Sequence, residues 1–278
     1  MTASAEKQAL EFVKGILHSY SQIFFSKNLV FAVILLIVTF FDKWAGLSGL
    51  LAVVFTNTLA TLLGYNRWSI SEGLYGFNSL LVGLGLGIYY EPGAAYFVML
   101  LFSAIFTFFL TIWLQNHFGK YGLPYLAWPF ILAIWMVTLA ARQFTGLEIS
   151  ARGLYLLNDL YDSGGMTMVE LYHWFNNLPM PEPLIVYFRS LGAIFFQYQT
   201  LAGIFIAIGL IIYSRIAFML SLLGFFSAYL FYWFIGASLN ELTYYYIGFN
   251  FILTAIAVGG FFVVPSRQSF LWVVLLTP

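Results

Sequence analysis

The chain has 278 residues, of which 62% are apolar, 21% aromatic and only 8% charged, and its mean hydropathy is +0.90. Soluble domains carry about 25% charged residues, so this composition describes an all-α integral membrane protein and excludes most soluble enzymes. Lys plus Arg equals Asp plus Glu at 11 each, which leaves no basic field for nucleic acid, and the lack of cysteine removes disulfides and thiol chemistry.

Residues 1–13 form a polar tail with Glu6, Lys7 and Glu11, without the apolar core of a cleaved signal, so the first hydrophobic segment is expected to be retained. A membrane helix needs about 20 mostly apolar residues, about 17 at the least. Spans are predicted at 27–41, 45–64, 70–88 and 95–115. A segment at 117–141 follows, broken by Pro124 and Pro129. A polar stretch from Arg142 to Arg189 precedes further spans at 199–213, 216–236 and 244–264, and the chain closes on an apolar run at 268–277. Tyr20–Ser26 and Leu191–Gln197 are apolar but too short to cross, as half-helices that enter without crossing would be.

The string Gly76-Phe77-Asn78 recurs as Gly248-Phe249-Asn250. The same alignment pairs Leu81 with Leu253, Lys43 with Arg215 and Gly64 with Gly236. With one residue inserted, Ser21–Asn28 lies over Gly192–Gln199. The expectation is one repeat at 14–141, a central extracytoplasmic loop at 142–188, and a second, incomplete repeat at 189–278. Five crossings in the first repeat make the second inverted in the bilayer. An inner N-terminus places Lys7, Lys14, Lys27, Arg67, Lys120, Arg215 and Arg267 inside, against Lys43, Arg142, Arg152 and Arg189 outside, which agrees with the positive-inside rule. Every charged residue falls in or beside a predicted loop, Glu72 and Glu241 at span entrances. Ion-coupled pumps keep ionisable groups inside their spans, so passive passage of an uncharged solute is expected.

Three runs carry a resemblance to a known family: SQIFFSKN (21–28), NRWSISEGLYGFNSLLVG (66–83) and LPYLAWPF (123–130), with YYYIGFNFILTAIAVGG (244–260) in the second repeat. They are similar to the urea transporter family. The last run of the first repeat, with Leu123, Pro124, Ala127, Pro129 and Phe130, resembles its signature half-helix. The resemblance implies an inverted-repeat, channel-like fold, homotrimers in the cell membrane with one pore per subunit, and downhill passage of urea. It places the aromatic slot on Phe25 and Phe196, further pore wall on Phe77, Leu81, Phe249 and Leu253, and a carboxamide on Gln22. Urea is flat and neutral, so parallel rings suit its faces. Oxygens along the edge must accept its N–H groups, because a buried unpaired donor costs about 1–3 kcal/mol. The chain departs from the family where Ala127 replaces a Thr and Ala193 a Gln or Glu.

Other features have plainer readings. Gly83, Gly85 and Gly87 suit close helix packing, not a nucleotide fingerprint. Glu170 and His173, with Asp159 and Asp162 nearby, read as a wetted loop, and residues 166–180 as an interfacial helix facing lipid. His18 and His117 have no assigned role, and no metal or cofactor is expected. The alternatives are a channel for another small neutral solute (a short amide, ammonia or water) and a non-conducting membrane assembly protein. An intramembrane hydrolase lacks a nucleophile–base pair at depth.

Overall fold

The structure is a computed structural model that describes residues 2–151, 156–177, 179–238 and 247–278. Arg152, Glu241 and Tyr244–Tyr246, the start of the span expected from 244, lie outside the described residues, as do the side chains of Glu6, Lys7, Asp159 and Asp162. The chain divides into two units. The first is Met1–Ile23 with Lys27–Tyr155, and the second is Phe24–Ser26 with Leu156–Pro278.

The first unit holds seven of the helices: α1 (Thr2–Ser21), α2 (Leu29–Thr39), α3 (Lys43–Leu62), α4 (Arg67–Ser71), α5 (Gly76–Tyr89), α6 (Ala94–Gly119) and α7 (Trp128–Ala141). Side-chain oxygens start three of them. Asn28 accepts from the Phe31 amide at 2.9 Å, Asp42 from Trp44 and Ala45 at 2.9 Å, and Asn66 from Trp68 at 2.9 Å. Helix α3 ends at Gly64, whose φ of +73° suits a residue without Cβ. There the Gly64 amide donates to Thr61 and the Tyr65 amide to Ala60. Helices α3 and α5 form the close pair of this unit. A Cβ on Gly83 would sit 2.6 Å from the Ser48 carbonyl oxygen, and one on Gly87 2.7 Å from the Ala45 Cα. Their spacing of four puts both glycines on one face of α5, which is the packing role expected of them. The Tyr96 hydroxyl donates to Ser48 Oγ at 2.5 Å and ties α6 to the same pair. Ala52, Val82, Leu86, Leu100 and Ala133 pack together as the core among α3, α5, α6 and α7.

The second unit holds α8 (Leu156–Asn176, broken at Gly164–Gly165), α9 (Glu182–Ala193), α10 (Thr200–Tyr213), α11 (Arg215–Phe234), α12 (Gly248–Ile256, continued by a π turn over Ala257–Phe261) and α13 (Arg267–Leu276). Ser214 caps α11 from its side chain, and Ser266 and Ser269 form a reciprocal capping box on α13. Helix α11 ends at Gly236 with φ +68°, its amide on Trp233 and the Ala237 amide on Tyr232. This is the turn found at Gly64. Helices α3 and α11 each have 20 residues. Helix α5 ends at Tyr89, and α12 with its π turn covers the aligned stretch to Phe261.

Among the described residues, α3, α6 and α11 are long and apolar enough to cross a membrane. Helices α1 and α2 would make a fourth span if taken as one, bent by 85°. Helices α5, α7 and α10 have 14 residues each, about 21 Å at 1.5 Å per residue, against a hydrocarbon core of about 30 Å. The span expected at 70–88 is therefore a shorter helix, and the segment expected at 199–213 is α10 within one residue of its bounds. The short piece expected at Tyr20–Ser26 takes in the last two residues of the 20-residue α1 and the 3-10 turn that follows, and Leu191–Gln197 takes in the last three residues of α9 and the turn after it. Glu6, Lys7 and Glu11, read as a tail, are helical residues of α1. Arg189, expected beside a loop, lies inside α9, half-buried, and its Nε donates to Thr200 Oγ1 at 3.3 Å.

Candidate functional site

Three residues other than glycine have positive φ among the described residues: Phe25 at +57°, Leu126 at +45° and Phe196 at +59°. Each stands in a break just before a helix, α2, α7 and α10 respectively. Left-handed backbone costs a residue with Cβ about 1–2 kcal/mol, and strain of this kind collects at functional sites.

At the break after α9, Phe196 occupies the place that glycine usually takes. Its amide donates to Ala193 at 3.0 Å, and the Gln197 amide reaches back to Gly192 at 3.0 Å. Phe196 and Phe25 are half-buried, while the adjoining Phe195 and Phe24 are fully buried, with ring centroids 6.2 Å apart. The turn thus spends one ring of each pair on the core and leaves the other partly open. Phe25 stacks on Phe261 with centroids 4.6 Å apart and an interplanar angle of 25°, and meets the edge of Phe262 at 6.0 Å. The Tyr213 hydroxyl lies 3.5 Å from the Phe25 carbonyl oxygen, which accepts from it. Phe249 and Leu253 are half-buried and one helical turn apart on α12.

In the first unit, Phe77 and Leu81 share a face of α5 and are 9% and 7% exposed. Phe77 stacks on Tyr125 at 5.9 Å, and the Tyr125 hydroxyl donates to the Leu74 carbonyl at 2.9 Å. Gln22 opens a 3-10 turn over Gln22–Phe24, and its Oε1 is buried without a hydrogen-bond partner. The signature run is only partly helical. Leu123 and Pro124 are exposed in a turn, Ala127 is the N-cap of α7, and Pro129 and Phe130 lie in its first turn. Pro129 suits that place because an amide there has no intrahelical partner.

Asn78, which the sequence reading left without a role, links α5 to the break before α7. It is fully buried; its Nδ2 donates to the Leu126 carbonyl at 3.2 Å and its Oδ1 accepts from the Phe130 amide at 3.2 Å. Ala127 makes no side-chain cap, and Asn78 supplies one from α5. The signal was in the sequence: Asn78 closes the repeated Gly-Phe-Asn string. Phe261 carried no such signal, because it meets Phe25 across most of the chain.

The histidines are structural or peripheral. His18 Nδ1 lies 2.6 Å from the Ser71 carbonyl oxygen, and His117 stacks on Trp113. Lys27 pairs with Glu72, and its ammonium lies 5.3 Å from the Trp68 ring centroid. No group of three or more His, Cys, Asp or Glu is placed to hold a metal among the described residues.

The helical fold and its apolar spans define a membrane protein. The sequence model of the family described as "UT: Urea transporter" matches residues 13–278, and the chain belongs to the urea transporter family. A stretch of 143 residues, 49% of this chain, is 33% identical to urea transporter 1 of Ovis aries and covers 37% of that protein. The corresponding protein of Capra hircus is 32% identical over 143 residues, again 37% of its length. That of Rattus norvegicus is 29% identical over 141 residues, 36% of its length. The matched stretch therefore covers well under half of each relative. The family is one of transporters and not of enzymes.

Proposed function

We propose that the protein provides a passive, downhill path for urea across the cell membrane. The observation that carries this reading is the pair Phe25 and Phe196, aligned in the internal repeat and both held in left-handed backbone. A helix ends at lower cost on glycine, so a phenylalanine kept at both places points to a use for the ring. Two such rings in the second unit would wall a slot for a planar neutral solute and offer no ligand to a hydrated ion. Phe249 and Leu253 supply apolar wall beside them, and Phe77 and Leu81 hold the aligned places in the first unit. Gln22 carries a buried, unpartnered acceptor for a solute N–H. The near-constant offset of helix bounds between the units supports a repeat of 14–141 in 189–278, and an odd number of crossings would invert it. A cytoplasmic N-terminus from the excess of Lys and Arg on the inner side, lipid around the apolar helices and, by family resemblance, a homotrimer complete the proposal.

A second reading has its own observation. Ala127 and Ala193 offer no side-chain acceptor, which suits another small neutral solute such as a short amide, ammonia or water. Stopped-flow uptake in proteoliposomes, comparing urea, acetamide, ammonia and water, separates the two. Urea should pass fastest relative to vesicles without protein, and Phe25→Ala should narrow its lead over acetamide. A lead held by ammonia or water would favour the second reading. Absence of flux for all four would favour a non-conducting assembly protein.

A further inference from the structure

Gln199 is the N-cap of α10, with extended backbone at φ −77° and ψ 140°, and its side chain makes no capping bond. The aligned residue in the first unit, Asn28, caps α2 through its side chain. Glutamine is one methylene longer and is not among the good N-caps. The Gln199 side chain is directed elsewhere: its Oε1 is buried and has no hydrogen-bond partner, the same condition as Oε1 of Gln22. A buried carbonyl acceptor carries a desolvation cost until something donates to it. Arg189 donates from Nε to Thr200 Oγ1 at 3.3 Å and so engages the side chain of the residue immediately after Gln199.

The place of this residue gives the free oxygen a meaning. Gln199 stands three residues after Phe196, in the same break between α9 and α10. Three residues before Phe196 is Ala193, aligned with Gln22 but without an acceptor. We infer that Gln199 is a specificity-determining residue whose Oε1 accepts an N–H from a planar amide solute held against Phe196, supplying the acceptor that Ala193 lacks. The solute class is urea and small carboxamides with free N–H edges. The inference rests on the urea reading above.

The test uses the protein in proteoliposomes, with urea and water permeability measured by stopped flow and the melting temperature measured in parallel. Gln199→Met keeps the bulk and removes the oxygen; urea permeability should fall about tenfold, as expected of one lost hydrogen bond, with water permeability unchanged. Adding Ala193→Gln to that variant should restore urea passage, because it returns a carboxamide to the place aligned with Gln22. Gln199→Asn guards against a folding defect. Its shorter side chain can cap α10 as Asn28 caps α2, so the melting temperature should rise while urea permeability falls. If Gln199→Met and Gln199→Asn both keep full urea permeability while Phe196→Ala still relaxes selectivity, the assignment of Gln199 is wrong and the urea reading stands. An equal fall in urea and water permeability also overturns it, since that marks a structural role. A wild-type protein that carries no urea overturns both.

Discussion

Each of the two breaks seats two consecutive phenylalanines and treats them differently. Phe195 is fully buried, whereas Phe196 is half-buried with φ +59°. Substitution by glycine should separate the two roles. Phe196→Gly relieves left-handed strain of about 1–2 kcal/mol and adds backbone entropy to the unfolded chain of about 0.5–1 kcal/mol. Its melting temperature should therefore stay close to wild type while selectivity for urea over acetamide is lost. Phe195→Gly empties a core site, and large-to-small changes of that size cost about 3–5 kcal/mol. A Phe196→Gly protein as unstable as Phe195→Gly would mean that both rings serve packing alone. Asn78 is tested in the same way. Asn78→Ala leaves the Leu126 carbonyl and the Phe130 amide without their partner and should cost about 2–3 kcal/mol in thermal or denaturant unfolding. Asn78→Asp puts a carboxyl group at a fully buried site facing the Leu126 carbonyl and should cost at least as much at neutral pH; a smaller loss than that of Asn78→Ala would show that the Leu126 carbonyl needs no donor.

Helix starts were legible in the sequence where a polar residue precedes an apolar run, as at Asp42 and Ser214. Helix ends at Gly64 and Gly236 were legible as repeat-matched glycines. The extent of α1 was not. Its charged residues lower the local hydropathy, so a window tuned to spans reads them as tail, although a helix needs only one apolar face. The length of α5 was also overestimated, because hydropathy measures burial and not distance across the bilayer, whereas α10 matches its expected bounds within one residue. Within the site, positions in matched strings were legible, but the links that shape it were not. Asn78 reaches the Leu126 turn from another helix, and Phe261 reaches Phe25 from the far end of the chain; neither contact leaves a local pattern. The α3–α5 pair offers a direct test at this scale. Gly83→Val places a side chain where the Ser48 carbonyl oxygen already lies 2.6 Å from the Cβ position, and overpacking should cost about 1–3 kcal/mol. A Gly83→Val protein with an unchanged melting temperature would refute the close packing of these helices.

At the scale of the molecule, the proposed passive path makes the protein a conduit and not a pump. Among the described residues, most of the charged ones lie at helix ends, in turns or in α1. The half-buried Arg189 in α9 is the departure from the sequence expectation, and its Nε is engaged by Thr200. Ion-coupled transport asks for a group that gains and loses its ion inside the membrane, and a guanidinium keeps its proton throughout the accessible pH range. The measurement that tests this most directly is urea entry into proteoliposomes under an imposed proton gradient, with and without an uncoupler. Urea should enter faster than into protein-free vesicles, stop at equal concentrations inside and out, and do so at the same rate in both conditions. Entry no faster than in protein-free vesicles, or accumulation above the outside concentration that the uncoupler abolishes, would contradict the account.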